Sequence, residues 1–439
     1  MNINREILRL SIPAVVSNIT VPLLGLCDTA ISGHLGAVSF LGAIAVGAMM
    51  VNPVFWLFGF LRMGTSGLTA QAFGAKNTEE QRRLFSQSLV LAFGIGLILW
   101  LLRQPLGSVM EMLMDADAEV STMATDYFRT LMYAAPALLG TTAISGWMLG
   151  MQNTVRPMAV AIGVNAVNIP MSLMLVFWAD MGFHGIALGT VIADWAGFIT
   201  AILLSRPLLK GKSLWSGWKS IVKRGTLGKF FRVNTDILLR SACIMAVSVA
   251  MTAFSARLGA LTLAANAVML QYFHLFSYFM DGLAFTGEAL CGRFAGAADS
   301  NMLRSSVRHL LLWGLALTIL FTLLYGIGAE PIASLLTSQT EVVERVGEFW
   351  YWVAAIPLVS VWAFIFDGIY IGLTATRRML LATFAAAMVF FTVTLLNPFG
   401  GAISPTDTLW TAFLGYLLTR GVVLAGLCPR LLKKYNPST

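Results

Sequence analysis

The chain has 439 residues, 57% of them hydrophobic and only 11% charged, with a mean hydropathy of +0.78, against roughly 25% charged residues in a soluble domain. That composition excludes water as the main solvent of the fold and leaves room for about twelve membrane spans of about 20 residues each, with short loops and no sizeable soluble domain. The formal charge of +8 suits nucleic acid or the basic loops of a membrane protein, and the placement of the charges decides between them.

In chain order, the apolar runs predict an all-α integral membrane protein with helices near 7–33, 39–72, 84–103, 120–148, 156–178 and 184–205. A second set follows near 230–256, 262–294, 305–327, 342–372, 378–397 and 406–427. Arg5 and Arg9 precede the first run as in a signal peptide, but that run holds Asn18 and Asp28 and leads into further spans, so it reads as a retained first helix. With the N-terminus cytoplasmic, the outer loops hold only Arg103, Arg257 and Arg345, and nearly all other Lys and Arg residues lie on inner loops and ends. This imbalance fits the positive-inside rule. It points to a multi-pass plasma-membrane (inner-membrane) protein with both termini cytoplasmic, and it removes nucleic acid as a partner. Residues 206–229, rich in Lys, Gly, Ser and Trp, read as a basic cytoplasmic linker between a six-helix lobe at 1–205 and another at 230–439. Cys27, Cys243, Cys291 and Cys428 are scattered without metal spacing and read as packing residues.

The two lobes read as copies of one unit. Ser32-Gly-His-Leu-Gly-Ala37 returns 223 residues on as Ser255-Ala-Arg-Leu-Gly-Ala260, and Gly146-Trp-Met-Leu-Gly150 returns 222 residues on as Gly368-Ile-Tyr-Ile-Gly372. A nearly constant offset marks an internal repeat. Because six is even, both copies enter the membrane from the same side, which predicts parallel repeats around a central cavity, able to rock in alternating access. The GxxxG pairs Gly146/Gly150, Gly185/Gly189 and Gly368/Gly372 permit close helix approach. Pro22, Pro136, Pro170 and Pro357 are expected to kink their helices.

Over essentially its whole length the sequence resembles the multidrug and toxic compound extrusion family, most closely its DinF branch. The resemblance rests on Asn18-Ile-Thr-Val-Pro-Leu-Leu-Gly-Leu-Cys-Asp28-Thr-Ala in helix 1 and Leu68-Thr-Ala-Gln-Ala-Phe-Gly-Ala-Lys-Asn77 after helix 2. Asp281-Gly282, Glu288-Ala289 and Asp367-Gly-Ile-Tyr-Ile-Gly372 add to it from helices 8 and 10. It implies outward secondary antiport of cationic or amphipathic organic compounds driven by protons, with sodium as the other coupling ion, by a monomer embedded in membrane lipid. Two positions depart from the family. The Asn and Asp of helix 5 in archaeal relatives are Asn168 and Ser172 here, and the helix 7 glutamate of the NorM branch has no counterpart between Ala242 and Ala250.

Ionisable residues inside a membrane cost at least about 2.5–3.5 kcal/mol on insertion scales and are functional candidates by default. Asp28 stands among Leu24, Gly25, Leu26 and Cys27 with no basic residue within helical reach, and such a carboxyl can take up and release a proton as the hydration of its cavity changes. The alternative is a neutral acid bonded to a neighbour for structure. Asn165, Asn168 and Ser172 share one face of helix 5, and Thr190 and Asp194 share one face of helix 6. With Asp28 they are expected to form a proton site, the family resemblance supporting Asp28, Asn168 and Thr190, while Asp194 is equally readable as a structural acceptor. In the second lobe Gln271, His274, Tyr278, Asp281, Phe285 and Glu288 run down one face of helix 8, mixing acids with aromatics as an amphipathic cation requires; inter-helix bonding is the alternative. Asp367 matches a cation-binding aspartate of the NorM branch, so Asp281 and Asp367 are expected to face one substrate cavity. Asp236 and Arg240, four residues apart, read as a structural pair. Arg62 falls opposite Phe285 at the 223-residue offset, close to Glu288, which suggests an Arg62–Glu288 cytoplasmic gate; the alternative is that Arg62 snorkels to the cytoplasm and Glu288 pairs with Arg293 or Arg240.

Three rival functions are weighed against these residues. The only phosphate-loop candidate, Gly211-Lys-Ser213, has Arg206 where the first glycine belongs, which excludes ATP as a direct fuel. His34, His184, His274 and His309 show no metal-binding spacing, so neither an enzyme nor a cofactor is expected. A flippase for lipid-linked or amphiphilic substrates is the nearer alternative, set back because such proteins usually carry basic residues in the cavity whereas the intramembrane charges here read as mainly acidic.

Overall fold

The computed structural model describes residues 2–33, 38–114, 117–209, 226–397 and 403–435. All regular structure among them is helical. In order the helices are α1 (Ile3–Gly33), α2 (Val38–Leu57), α3 (Phe60–Gly74), α4 (Thr78–Leu101), α5 (Arg103–Leu113), α6 (Ala118–Leu131), α7 (Ala135–Gly150), α8 (Val155–Leu173) and α9 (Phe183–Ser205). Then come α10 (Thr226–Arg257), α11 (Ala260–Gly296), α12 (Ser300–Leu336), α13 (Thr340–Glu348), α14 (Trp350–Gly372), α15 (Thr376–Leu396) and α16 (Pro405–Lys433). Counting α2 with α3, α6 with α7 and α13 with α14 as single stretches gives the expected spans plus the short α5. Ten stretches among the described residues are long and apolar enough to cross a membrane. The other two expected spans are 118–150 and 260–296.

Two boundaries differ from the sequence reading. The charged residues Glu79, Glu80, Arg82 and Arg83 read as loop, yet they form the first turns of α4, where acids suit the positive end of the helix dipole. Likewise α12 continues past Gly328 and Pro331 to Leu336, kinked rather than ended there. Of the expected linker, 210–225 lies outside the described residues.

The chain forms two compact units, Ile12–Asn234 on the one hand and Met1–Ser11 with Thr235–Thr439 on the other. The first turns of α1 thus pack with the second unit, where Trp313 Nε1 donates to Asn4 Oδ1 at 3.2 Å.

Each unit repeats the same internal packing. Helix α3 packs on α7 as α11 does on α14, α4 on α7 as α12 on α14, and α8 on α9 as α15 on α16. The turns repeat too. Lys76 (φ 54°) and Ala298 (φ 54°) are both left-handed, and the next residue, Asn77 or Asp299, caps the following helix by accepting from the backbone N–H three residues on at 3.0 Å. Gln152 (φ 62°) and Thr374 (φ 51°) form a second matching pair. The GxxxG glycines set the closest approach. A side chain on Gly146 would run into the backbone of Arg62, and one on Gly368 into the backbone of Ala284. Structurally, then, Arg62 corresponds to Ala284, one residue away from the match that the 223-residue offset gives.

Candidate functional site

In the first unit four helices converge on Asp28. Its carboxyl, on α1, is 4% exposed. Tyr127 of α6 donates its hydroxyl to Asp28 Oδ2 at 3.5 Å, and Thr190 of α9 donates to the same oxygen at 3.4 Å. Thr190 Oγ1 also lies 3.2 Å from the Ile186 carbonyl and accepts from Asn168 Nδ2 of α8 at 2.9 Å. A hydroxyl has one proton to give, so Thr190 divides it between Asp28 and Ile186. No cation meets Asp28 among the described residues, and its Oδ1, with Asn168 Oδ1 and Ser172 Oγ, has no hydrogen-bond partner there.

Small residues make this convergence possible. A Cβ on Gly189 would overlap Ser172, so the glycine lets α9 close on α8 and brings Thr190 to Asn168. Gly47 of α2 leaves the space that the Tyr127 ring fills. Asp194, buried one turn beyond Thr190, lies within electrostatic reach of Asp28 and Tyr127. Asn165 does something else: its Nδ2 donates to the Thr20 carbonyl at 3.0 Å and ties α8 to the α1 backbone. Tyr127 is the member that the sequence reading missed. It sits in a polar stretch between Ala118 and Leu131, and a lone tyrosine there gives no periodic signal.

The second unit is built differently. On α11, Gln271 and His274 are exposed, Tyr278, Asp281 and Phe285 are half-buried, and Glu288 is buried. Asp367 of α14 is buried and forms ion pairs with both Arg240 of α10 and Arg420 of α16 through Oδ2. Arg420 Nη1 also donates to the Tyr416 hydroxyl at 3.4 Å. Asp281 and Glu288 lie within electrostatic reach of Arg240, and Asp281 of Arg420.

Two readings are corrected here. Asp236 does not pair with Arg240: it accepts from Thr376 Oγ1 at 2.9 Å and meets Arg377 at 3.8 Å. Nor are Arg240 and Arg420, which read as residues near inner helix ends, exposed there: both are buried, among acids that outnumber them. Arg62 is half-buried on α3 in the first unit, and Glu288 belongs to the second. No cluster of three or more His, Cys, Asp and Glu that could hold a metal ion occurs among the described residues.

A duplicated helical membrane fold with carboxyls buried inside each copy defines a polytopic transporter. The MatE family model matches the chain twice, over residues 13–174 and 237–396, one match in each repeat. DNA damage-inducible protein F of Escherichia coli is 35% identical over 427 residues, covering 97% of this chain and 92% of that one. Protein DETOXIFICATION 44, chloroplastic, of Arabidopsis thaliana is 26% identical, covering 95% and 81%. Among solved structures, the MATE transporter VcmN of Vibrio cholerae in its bent form superposes with a TM-score of 0.86 at 19% identity over 99% of this chain and 98% of that one. The chain therefore belongs to the MatE family, the multidrug and toxic compound extrusion transporters, in its DinF branch, and it is a multi-pass membrane transporter rather than an enzyme.

Proposed function

We propose that this protein is a secondary antiporter of the plasma membrane, with cytoplasmic termini, that exports cationic or amphipathic organic compounds in exchange for protons by alternating access. The relatives bear names such as Multidrug resistance protein NorM, in Aliivibrio fischeri, which supports the substrate class. The observation that carries proton coupling is the setting of Asp28: a buried carboxyl served by two hydroxyls, with a second carboxyl, Asp194, in reach and, among the described residues, no cation paired with either. A proton is what lets two such acids share an apolar site. When Asp28 is ionised, Thr190 turns its proton to Oδ2; when Asp28 takes up a proton, Thr190 turns back to the Ile186 carbonyl and keeps its bond from Asn168. Passing between the two states takes the rotation of one hydroxyl, which suits a site that must load and unload.

For the organic compound, Asp281 with Tyr278 and Phe285 on the same face of α11 offers an acid beside aromatic rings. Asp367 is already engaged by two arginines and acts through them rather than as an open carboxylate. Those arginines would suit the phosphate of a lipid-linked substrate, but both are bonded to Asp367, which keeps the antiporter ahead of a flippase. The deciding experiment uses proteoliposomes and a permanently charged fluorescent cation. An interior more acidic than the exterior, without sodium, is expected to drive dye uptake; uptake that needs a sodium gradient, or transport confined to a lipid-linked substrate, would overturn the proposal.

A further inference from the structure

Helix α12 departs from helical geometry at Gly328 (φ −107°, ψ 16°), and Pro331 lacks the N–H that would bond the Ile327 carbonyl. The kink is held from inside the unit. The hydroxyl of Tyr272 donates to the carbonyl of Ala329, the hydroxyl of Tyr325 donates to the carbonyl of Tyr272 at 2.8 Å, and the two buried rings meet edge-on with centroids 5.0 Å apart. Beside the kink lies a cavity of about 250 Å³ lined by Gly326, Ile327, Glu330, Pro331, Gly347 and Trp350, among others. Gly347 of α13 makes room for the Glu330 side chain, since a Cβ there would overlap its carboxyl. That carboxyl has no hydrogen-bond or ion-pair partner among the described residues.

Its depth follows from its neighbours. Helix α13 is polar, with Glu341, Glu344, Arg345 and Glu348, and it gives way at once to Trp350, Tyr351 and Trp352 at the start of α14. Such an aromatic run marks the level of lipid headgroups. Along α12, Leu320 (59% exposed), Leu323 (58%) and Ile327 (84%) form an uncovered apolar stripe leading up to the cavity. In a membrane, acyl chains cover a stripe of this kind.

We propose that this cavity is a binding site for an aminophospholipid, whose primary ammonium sits between Glu330 and Trp350 and whose acyl chains run down Leu320, Leu323 and Ile327. The choice of a primary amine follows from the two carboxylate oxygens of Glu330, which require N–H donors; a quaternary choline group has none to offer. The indole of Trp350 adds attraction for either cation and so does not discriminate. The inference stands apart from the transport reading, because no residue of the Asp28 or Asp281 sites takes part.

The test is native mass spectrometry of the full-length protein in detergent, with phosphatidylethanolamine, phosphatidylcholine and phosphatidylglycerol of identical acyl chains added in turn. Retention of phosphatidylethanolamine about tenfold above the other two is expected. Glu330→Gln should bring it down to the phosphatidylglycerol level, and Gly347→Ala, which crowds the carboxyl, should do the same. Glu341→Gln, on α13 but outside the cavity, should leave retention as in the wild type. The thermal unfolding midpoint of lipid-free Glu330→Gln should match that of the wild type, because the exposed carboxyl bonds no described residue. Undiminished phosphatidylethanolamine retention by Glu330→Gln, or equal retention of phosphatidylcholine by the wild type, would overturn the proposal.

Discussion

Asp28 meets two hydroxyls and Asp367 meets two guanidiniums, and the same side chain is thereby given opposite tasks. Asp28→Asn keeps the size and most of the bonding but cannot exchange a proton; it is expected to fold normally and to lose proton-driven uptake by at least about 100-fold, the scale on which positioned proton-transfer groups act. Tyr127→Phe should retain transport but shift its pH profile, since it removes one of the two donors to the ionised carboxyl; an unchanged profile would make Tyr127 a packing residue only. At Asp367 the expectation concerns stability. Asp367→Asn leaves two guanidiniums buried together, and stripping a partner from a buried ion pair costs about 3–5 kcal/mol, measurable by denaturation in a single detergent. The double variant Arg420→Met/Asp367→Asn removes one charge of each sign and should recover most of that loss. Asp28, Asn168 and Thr190 were readable as neighbours because an acid, an amide and a hydroxyl in apolar runs stand out and the family resemblance points to the same three. The arginine partners were not, because a basic residue near an inner helix end reads as a loop anchor and only the tertiary fold, which brings Arg240 and Arg420 to Asp367 of α14, buries it. The Asp236–Arg240 pairing failed for a related reason: four-residue spacing shows that two residues are able to meet on one helix, and partners from α15 took Asp236 instead.

At the scale of helices, the repeat shows which contacts the fold depends on. Gly146 against the Arg62 backbone and Gly368 against the Ala284 backbone are the same contact made twice, and neither neighbour is a flexible side chain able to yield. Gly146→Val and Gly368→Val should therefore destabilise their units comparably, by about 1–3 kcal/mol or more for an overpacked contact. Gly94→Ala, with nothing within 4 Å of the added carbon, should be neutral or stabilising by up to about 1 kcal/mol through helix propensity. Thermal unfolding of the three variants checks the contrast, and a Gly94→Ala loss as large as the other two would show that helix approach is not what the glycines serve. The spans and their duplication were readable because apolar length and a constant offset are properties of the chain alone. Helix α5 was not: it is short and mostly exposed, and its sequence carries no apolar run long enough to separate it from a loop.

For the transporter as a whole, the number of protons carried sets what the molecule can achieve. Asp28 and Asp194 lie within electrostatic reach of one another, and a negative charge on one disfavours a second beside it. On the proton coupling proposed above, such a pair is expected to exchange one proton per cycle. Exchange of one proton for one monovalent cation moves no net charge. Transport of a permanently charged cation should then respond to the pH gradient alone, one pH unit supporting at most about a tenfold concentration ratio. A membrane potential of 100 mV, worth about 2.3 kcal/mol for each charge moved, should leave that ratio unchanged. A zwitterionic compound carried by the same protein should show the opposite behaviour, since its exchange for a proton is electrogenic. Proteoliposomes clamped with a potassium diffusion potential separate the cases: an accumulation ratio for the cation that shifts with the imposed potential would mean that both carboxyls discharge in each cycle.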